Sequence, residues 1–242
     1  MTARKPAIAV VGLILGLPWV AGGQEALVIR PKALGDQVQA KDVQNPAHGV
    51  WRGVTGFRLH LNRTPPMYTS GPRDDGARPT ATVRLLRRGS GETFVRLEWT
   101  DATAQQLRPG QRLPDVGEEH VYHAQTEGTA DFADAACVML PQQRQAASPG
   151  PSITMGDKTT PVDLYYWRAG GGFQVLKASG ISTITDTGTA GSGGAVRTKT
   201  GWSVVFSVGN APARTPITFA IWDGAKQHRD GIKYFSLWCE VG

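Results

Sequence analysis

Cysteine is nearly absent from this chain, whose 242 residues carry only Cys137 and Cys239. Two thiols cannot supply the ligands of an iron–sulfur cluster, and neither lies in the Cys-x-x-Cys-His spacing that attaches a c-type haem covalently. They could close one disulfide, or both could be buried free thiols; the sequence leaves these open. Five histidines are scattered without the spacing of a zinc site. There is no Gly-x-Ser-x-Gly elbow for a nucleophilic serine, and no Gly-x-Gly-x-x-Gly that leaves a strand and opens a helix. Acyl-transfer hydrolysis and dinucleotide binding therefore lack support. Carboxylate pairs such as Glu118/Glu119 and Asp131/Asp134 sit in polar runs, where solvation is the ordinary expectation.

Long apolar runs are equally scarce. The main one spans residues 7–20, follows Arg4 and Lys5, and is followed by Ala21, Gly22 and Gly23. Cations, an apolar stretch and small residues, in that order, read as a secretory signal peptide. The run is shorter than a bilayer span and carries Pro18 near its end, which favours cleavage over anchoring. The expected organisation is a cleaved signal peptide over residues 1–23 and one domain over 24–242, exported and without a membrane span. Cleavage removes two cations from a formal charge of +6. The remaining cations are dispersed and form no stripe, so no nucleic-acid partner is expected.

Turn formers are abundant, with 30 glycines and 16 prolines, and no segment has convincing helical periodicity. Residues 81–86 and 93–99 flank a polar turn, and Val95, Leu97 and Trp99 alternate with Arg96 and Glu98, as in a half-buried strand. Further strands are expected over 51–61, 131–141, 162–169, 201–208 and in a C-terminal pair. Residues 24–50, 63–80 and 179–200 read as loops. The fold class is all-β: an antiparallel β-sandwich with irregular loop insertions and at most short helices.

Two residue types remain as candidates for chemistry. Lys233 interrupts the apolar C-terminal run, and in a continuous strand it would share a face with Phe235, Leu237 and Cys239. An ammonium there must pair, snorkel to water or lose its proton, and a neutral amine can ligate a metal. Beyond the signal region the methionines are Met67, in a Pro-rich loop, Met139, in a strand where core filling is the plain reading, and Met155, in a loop beside Gly156.

Five stretches occur in an order that carries a resemblance. They are Asp134-Ala135-Ala136-Cys137-Val138-Met139-Leu140-Pro141; Met155-Gly156-Asp157 with the strand at 161–169; Gly201-Trp202-Ser203-Val204-Val205; Phe219-Ala220-Ile221-Trp222-Asp223-Gly224; and Arg229-Asp230-Gly231-Ile232-Lys233-Tyr234-Phe235-Ser236-Leu237-Trp238. Together they resemble the haem b-binding γ subunits of type II dimethyl sulfoxide reductase-family molybdoenzymes. That group includes ethylbenzene dehydrogenase, dimethyl sulfide dehydrogenase, selenate reductase and chlorate reductase. The resemblance spans roughly residues 80–242 and the signal peptide. It departs at Tyr234, where the group usually has serine after the lysine.

The resemblance implies a non-catalytic electron-transfer subunit in a periplasmic heterotrimer. A molybdenum-containing α subunit would act on substrate, an iron–sulfur β subunit would pass electrons, and a soluble c-type cytochrome would exchange them. One noncovalent haem b is implied, with the axial lysine at Lys233 and the methionine at Met155, Met139 being the reserve. Tyr166, Trp167, Trp222 and Phe235 are the pocket candidates, with core packing an equally good account of Trp167, Tyr166 and Trp222, and Arg168 or Arg229 are the propionate partners. The alternative is a haem-free exported β-sandwich that binds carbohydrate or another small ligand through exposed aromatics.

Overall fold

The computed structural model describes residues 26–65, 73–108, 132–144, 150–181 and 183–242. The expected signal peptide, Met67, the Glu118/Glu119 pair, Asp131, His120 and His123 lie outside the described residues.

The described residues form fifteen strands: β1 (Leu27–Ile29), β2 (Lys32–Leu34), β3 (Phe57–His60), β4 (Asn62–Arg63), β5 (Thr80–Arg88), β6 (Glu92–Thr100), β7 (Ala135–Pro141), β8 (Val162–Arg168), β9 (Gly172–Ala178), β10 (Thr185–Ala190), β11 (Gly193–Arg197), β12 (Gly201–Asn210), β13 (Pro216–Trp222), β14 (Tyr234–Phe235) and β15 (Cys239–Val241). A short helix, α1 (Ala40–Gln44), and a 3-10 turn at Gly49–Trp51 join them near the N-terminus. One sheet runs β1-β15-β13-β7-β8-β9-β10, with β14 beside β13 and β4 beside β14. The other runs β11-β12-β6-β5-β2, with β3 also on β5.

This is the expected all-β sandwich. Its ladders are antiparallel except where β1 pairs with β15 and β2 with β5 in parallel. Those two strands, α1, and β9 to β11 fall where loops were expected, or were not anticipated. The reason is their composition. β10 is Thr-Asp-Thr-Gly-Thr-Ala and almost fully exposed, so backbone pairing to β9 holds it in place of an apolar face. Conversely, the expected strand at 51–61 contracts to β3, because residues 49–51 take a 3-10 turn that buries Trp51.

The inner faces of the two sheets meet in one core. Val83, Leu85, Val95, Leu97, Trp99, Trp202, Val204 and Phe206 pack against Val138, Leu140, Trp167, Phe219 and Ile221. The outside of the six-stranded sheet is capped by Val43, Trp51 and Val54 over Leu86, Phe94 and Val205. The outside of the nine-stranded sheet is also apolar. Cys137, Met139, Val162, Leu164, Leu176 and Ala178 form a cluster there, joined by Met155, Tyr166, Ala220, Trp222 and Trp238.

No helix among the described residues is long and apolar enough to cross a membrane.

A candidate cofactor face

Strand register assembles the outer face row by row, because directly paired residues share a side. One row runs Phe235, Ala220, Cys137, Tyr166. The next in one direction runs Thr218, Met139, Leu164, Leu176, and in the other Trp222, Ala135, Arg168. Small residues (Ala135, Cys137, Ala220) floor the centre while aromatic rings stand around it. Tyr166 and Trp222 meet edge to face at 5.4 Å between centroids. β7 is buried along its whole length, on both faces.

Met155 reaches this face from the loop before β8. Its backbone is left-handed, φ 73°, and so is that of Gly156, φ 71°. A methionine there is strained, since a Cβ crowds the carbonyl in this conformation, and such strain persists only where surroundings over-determine it. The surroundings are visible. Gly156 N–H donates to the Ser152 carbonyl at 2.8 Å, and Gly180 N–H to the Met155 carbonyl at 3.0 Å. The Asp157 carboxylate accepts from Thr159 Oγ1 at 2.5 Å, Thr160 Oγ1 at 2.6 Å, Thr160 N at 2.9 Å and Thr159 N at 2.8 Å, and these bonds, the Thr159 hydroxyl foremost, hold its pKa well below the usual carboxylate range. Position 156 admits only glycine, because a Cβ would sit 2.6 Å from the Thr160 carbonyl oxygen. Met-Gly-Asp is thus a rigid turn that presents a thioether to the cluster.

Lys233 reaches the same face from the entry to β14. Thr64, a residue the sequence did not single out, clamps its backbone. Thr64 Oγ1 accepts from Lys233 N at 2.8 Å and donates to the Lys233 carbonyl at 2.7 Å. The ammonium lies 5.5 Å over the Trp222 ring and makes one long hydrogen bond, 3.5 Å, to the Asp230 carbonyl. It forms no ion pair among the described residues. Burial lowers its pKa, while Cys137 and Asp230 pull weakly the other way. Cys137 shows the same apolar environment, its thiol pushed up to about 12 by burial.

The pocket candidates separate cleanly. Tyr166, Trp222 and Phe235 are on the outer face, as are Met139 and Arg168. Trp167 is not, because it follows Tyr166 in β8 and so points the opposite way. It packs in the core, 5.0 Å from Trp202 and 6.3 Å from Trp99. The continuous strand expected after Lys233 breaks after Phe235. Leu237 is exposed and Cys239 turns into the core. Cys137 and Cys239 therefore lie on opposite faces of the sheet as free thiols.

Trp238 was also missed. Its ring packs on the outer cluster, and its indole Nε1 is buried without a hydrogen-bond partner. Arg168 stands at the rim, its Nε donating to the Tyr166 hydroxyl at 3.0 Å. The available signal was β7 itself: Cys137 and Met139 alternate with Ala136, Val138 and Leu140, so both faces are apolar and something must cover the outer one. This face fits a haem: a dry, ring-lined floor, a soft thioether, an amine inclined to lose its proton, and an orphaned indole N–H and a guanidinium suited to carboxylates.

No family model matches the chain. Three curated proteins are similar over most of its length. One from Haloferax mediterranei, named provisionally as a respiratory nitrate reductase haem subunit, is 29% identical and aligns with 97% of this chain and 82% of its own length. The γ subunit of chlorate reductase from Ideonella dechloratans is 31% identical over 83% of this chain and 79% of its own. The γ subunit of dimethylsulfide dehydrogenase from Rhodovulum sulfidophilum is 27% identical over 84% and 76%. With its five motifs in order, and 31% identity to the chlorate reductase γ subunit along most of both chains, the chain belongs to the family of γ subunits typified by those of chlorate reductase and dimethylsulfide dehydrogenase.

Proposed function

We propose that this protein holds one noncovalent haem b between Met155 and Lys233 and serves as the electron-transfer subunit of an exported, periplasmic oxidoreductase complex. The substrate chemistry belongs to a molybdenum-containing partner. An iron–sulfur partner and a soluble c-type cytochrome stand on either side of this subunit in the electron path. The observation that carries the reading is a convergence. A lysine whose charge is disfavoured by burial and a methionine held in strained backbone come to one apolar face. The names of the relatives, a haem subunit and two γ subunits of oxidoreductases, support the same assignment.

Bound at that face, haem supplies a one-electron iron couple, whose potential a thioether ligand raises. The chain's own residues do the rest. Lys233 gives up the proton on Nζ, a step that burial already favours. Thr64 and the Asp230 carbonyl fix where that nitrogen sits. The Met155 turn sets the sulfur without a search through rotamers of a loose loop. Leu164, Met139, Tyr166 and Trp222 exclude water. The Trp238 indole N–H, buried without a partner, and the Arg168 guanidinium would be the donors for the haem propionates. Met139 is buried among Cys137 and Leu164 in the floor, and core filling accounts for it.

The test is a visible spectrum of the purified protein, oxidised and dithionite-reduced, with a pyridine haemochrome assay. A low-spin b-type spectrum near one haem per chain is expected. Lys233→Ala and Met155→Ala should each abolish it, while Met139→Leu should retain it. A colourless protein that takes up no added haemin overturns the reading in favour of a haem-free binding module. An unchanged low-spin spectrum in Lys233→Ala overturns the ligand assignment alone.

A further inference from the structure

Three aspartates from three strand ends come together away from the methionines. Asp101 follows β6, Asp134 precedes β7 and Asp223 follows β13, and one carboxylate oxygen of each lies within 4.8 Å of the others. The expectation of a solvated Asp134 is overturned, since it is fully buried, and Asp101 is 7% exposed. Like charges this close in a partly desolvated site repel strongly, and something must compensate.

The hydrogen bonds leave the compensation incomplete. Asp134 is the best satisfied. Its Oδ2 accepts from Gln105 N at 2.9 Å and Trp202 Nε1 at 3.0 Å, and its Oδ1 accepts from Gly224 N at 2.9 Å. That leaves a lone pair on Oδ1. Asp101 Oδ1 accepts from Thr103 N at 3.0 Å, but its Oδ2 is buried with no partner at all. Asp223 Oδ1 accepts from Lys226 N at 3.2 Å. The Lys226 ammonium stands 3.9 Å from Asp223 Oδ2 and is turned to Asp75, at 2.8 Å, and to the Tyr234 hydroxyl, at 3.1 Å. Lys226 is thus turned away from the cluster, the Arg197 guanidinium donates to the Asp101 backbone carbonyl at 2.7 Å and not to a carboxylate among the described residues, and a buried oxygen of Asp101 has spare coordinating capacity.

We propose that Asp101, Asp134 and Asp223 bind one divalent cation of the hard, oxygen-preferring class, calcium in particular. The donors are all oxygen, which disfavours zinc and copper, and three chain segments meeting irregularly suit calcium's flexible coordination better than the strict octahedron of magnesium. Water completes the shell. The ion ties the ends of β6, β7 and β13 together, so it links the two sheets: β6 belongs to one, β7 and β13 to the other.

The test uses the whole purified chain after chelation, titrated with calcium chloride by calorimetry and followed by thermal unfolding. Terbium luminescence serves as a second readout, with Trp202, hydrogen-bonded to Asp134, as sensitiser. One ion per chain is expected, with a rise in Tm of about 5 °C or more when calcium reaches a hundredfold excess over Kd. Asp101→Asn and Asp223→Asn should each weaken binding at least about tenfold and remove the Tm response. Absence of heat, luminescence and Tm response in the wild-type protein at millimolar calcium overturns the site, and the cluster is then neutralised by protons. Binding undiminished in both variants overturns it equally.

Discussion

Lys233 and Met155 each occupy a setting that its residue type avoids. The lysine has no carboxylate partner among the described residues, and the methionine adopts a left-handed backbone. Because burial lowers the folded-state pKa of Lys233, the unfolded chain binds more protons than the folded one between that lowered value and the ordinary 10.5. Stability contributed through this group therefore rises with pH across that window. In the haem-free protein, Lys233→Met should be more stable than wild type at neutral pH, and its advantage should shrink as pH climbs toward 9.5. Urea midpoints at several pH values measure the gap. A gap independent of pH would mean that the ammonium is solvated. Haem affinity should rise over the same window, since the ligand must be neutral.

At the scale of elements, the site depends on two short constructions, the 155–160 turn and the Thr64 clamp on the entry to β14. Gly156→Ala places a Cβ against the Thr160 carbonyl in left-handed backbone, so it should cost on the order of 1–3 kcal/mol. It should also weaken haem retention more than this loss of stability alone predicts, because the turn carries Met155. Thermal unfolding of the haem-free form, set beside the haem dissociation rate, separates the two effects. Equal retention in wild type and variant would detach the turn from the site.

For the whole molecule, the nine-stranded sheet is a partition between the core and the outer apolar face proposed to hold the cofactor. Cys239 and Trp167 belong to the core, Cys137 and Tyr166 to the other side. The two thiols cannot pair across that sheet. Both should react with a thiol reagent once the protein is unfolded without reductant, and dithiothreitol should leave the Tm unchanged. Two unreactive sulfurs, released only by reduction, would contradict the arrangement.

The sequence by itself determined the architecture and the strands with strong alternation. β5, β6, β8, β12 and β13 were legible because Val, Leu, Trp and Phe alternate with polar residues or run between turn formers. It also brought forward Met155, Lys233, Tyr166, Trp222 and Phe235 through ordered motifs. Strand parity is local, so a two-residue period is readable wherever a strand continues. Where the strand broke after Phe235, parity failed, and Cys239 went to the other face. Only tertiary structure decided that Trp167 is core, that Thr64 holds Lys233 across 169 residues of sequence, and that Asp101, Asp134 and Asp223 converge. Each of these depends on which strands become neighbours, and pairing partners far apart in the chain are set by the packing of two whole sheets, which no short window contains.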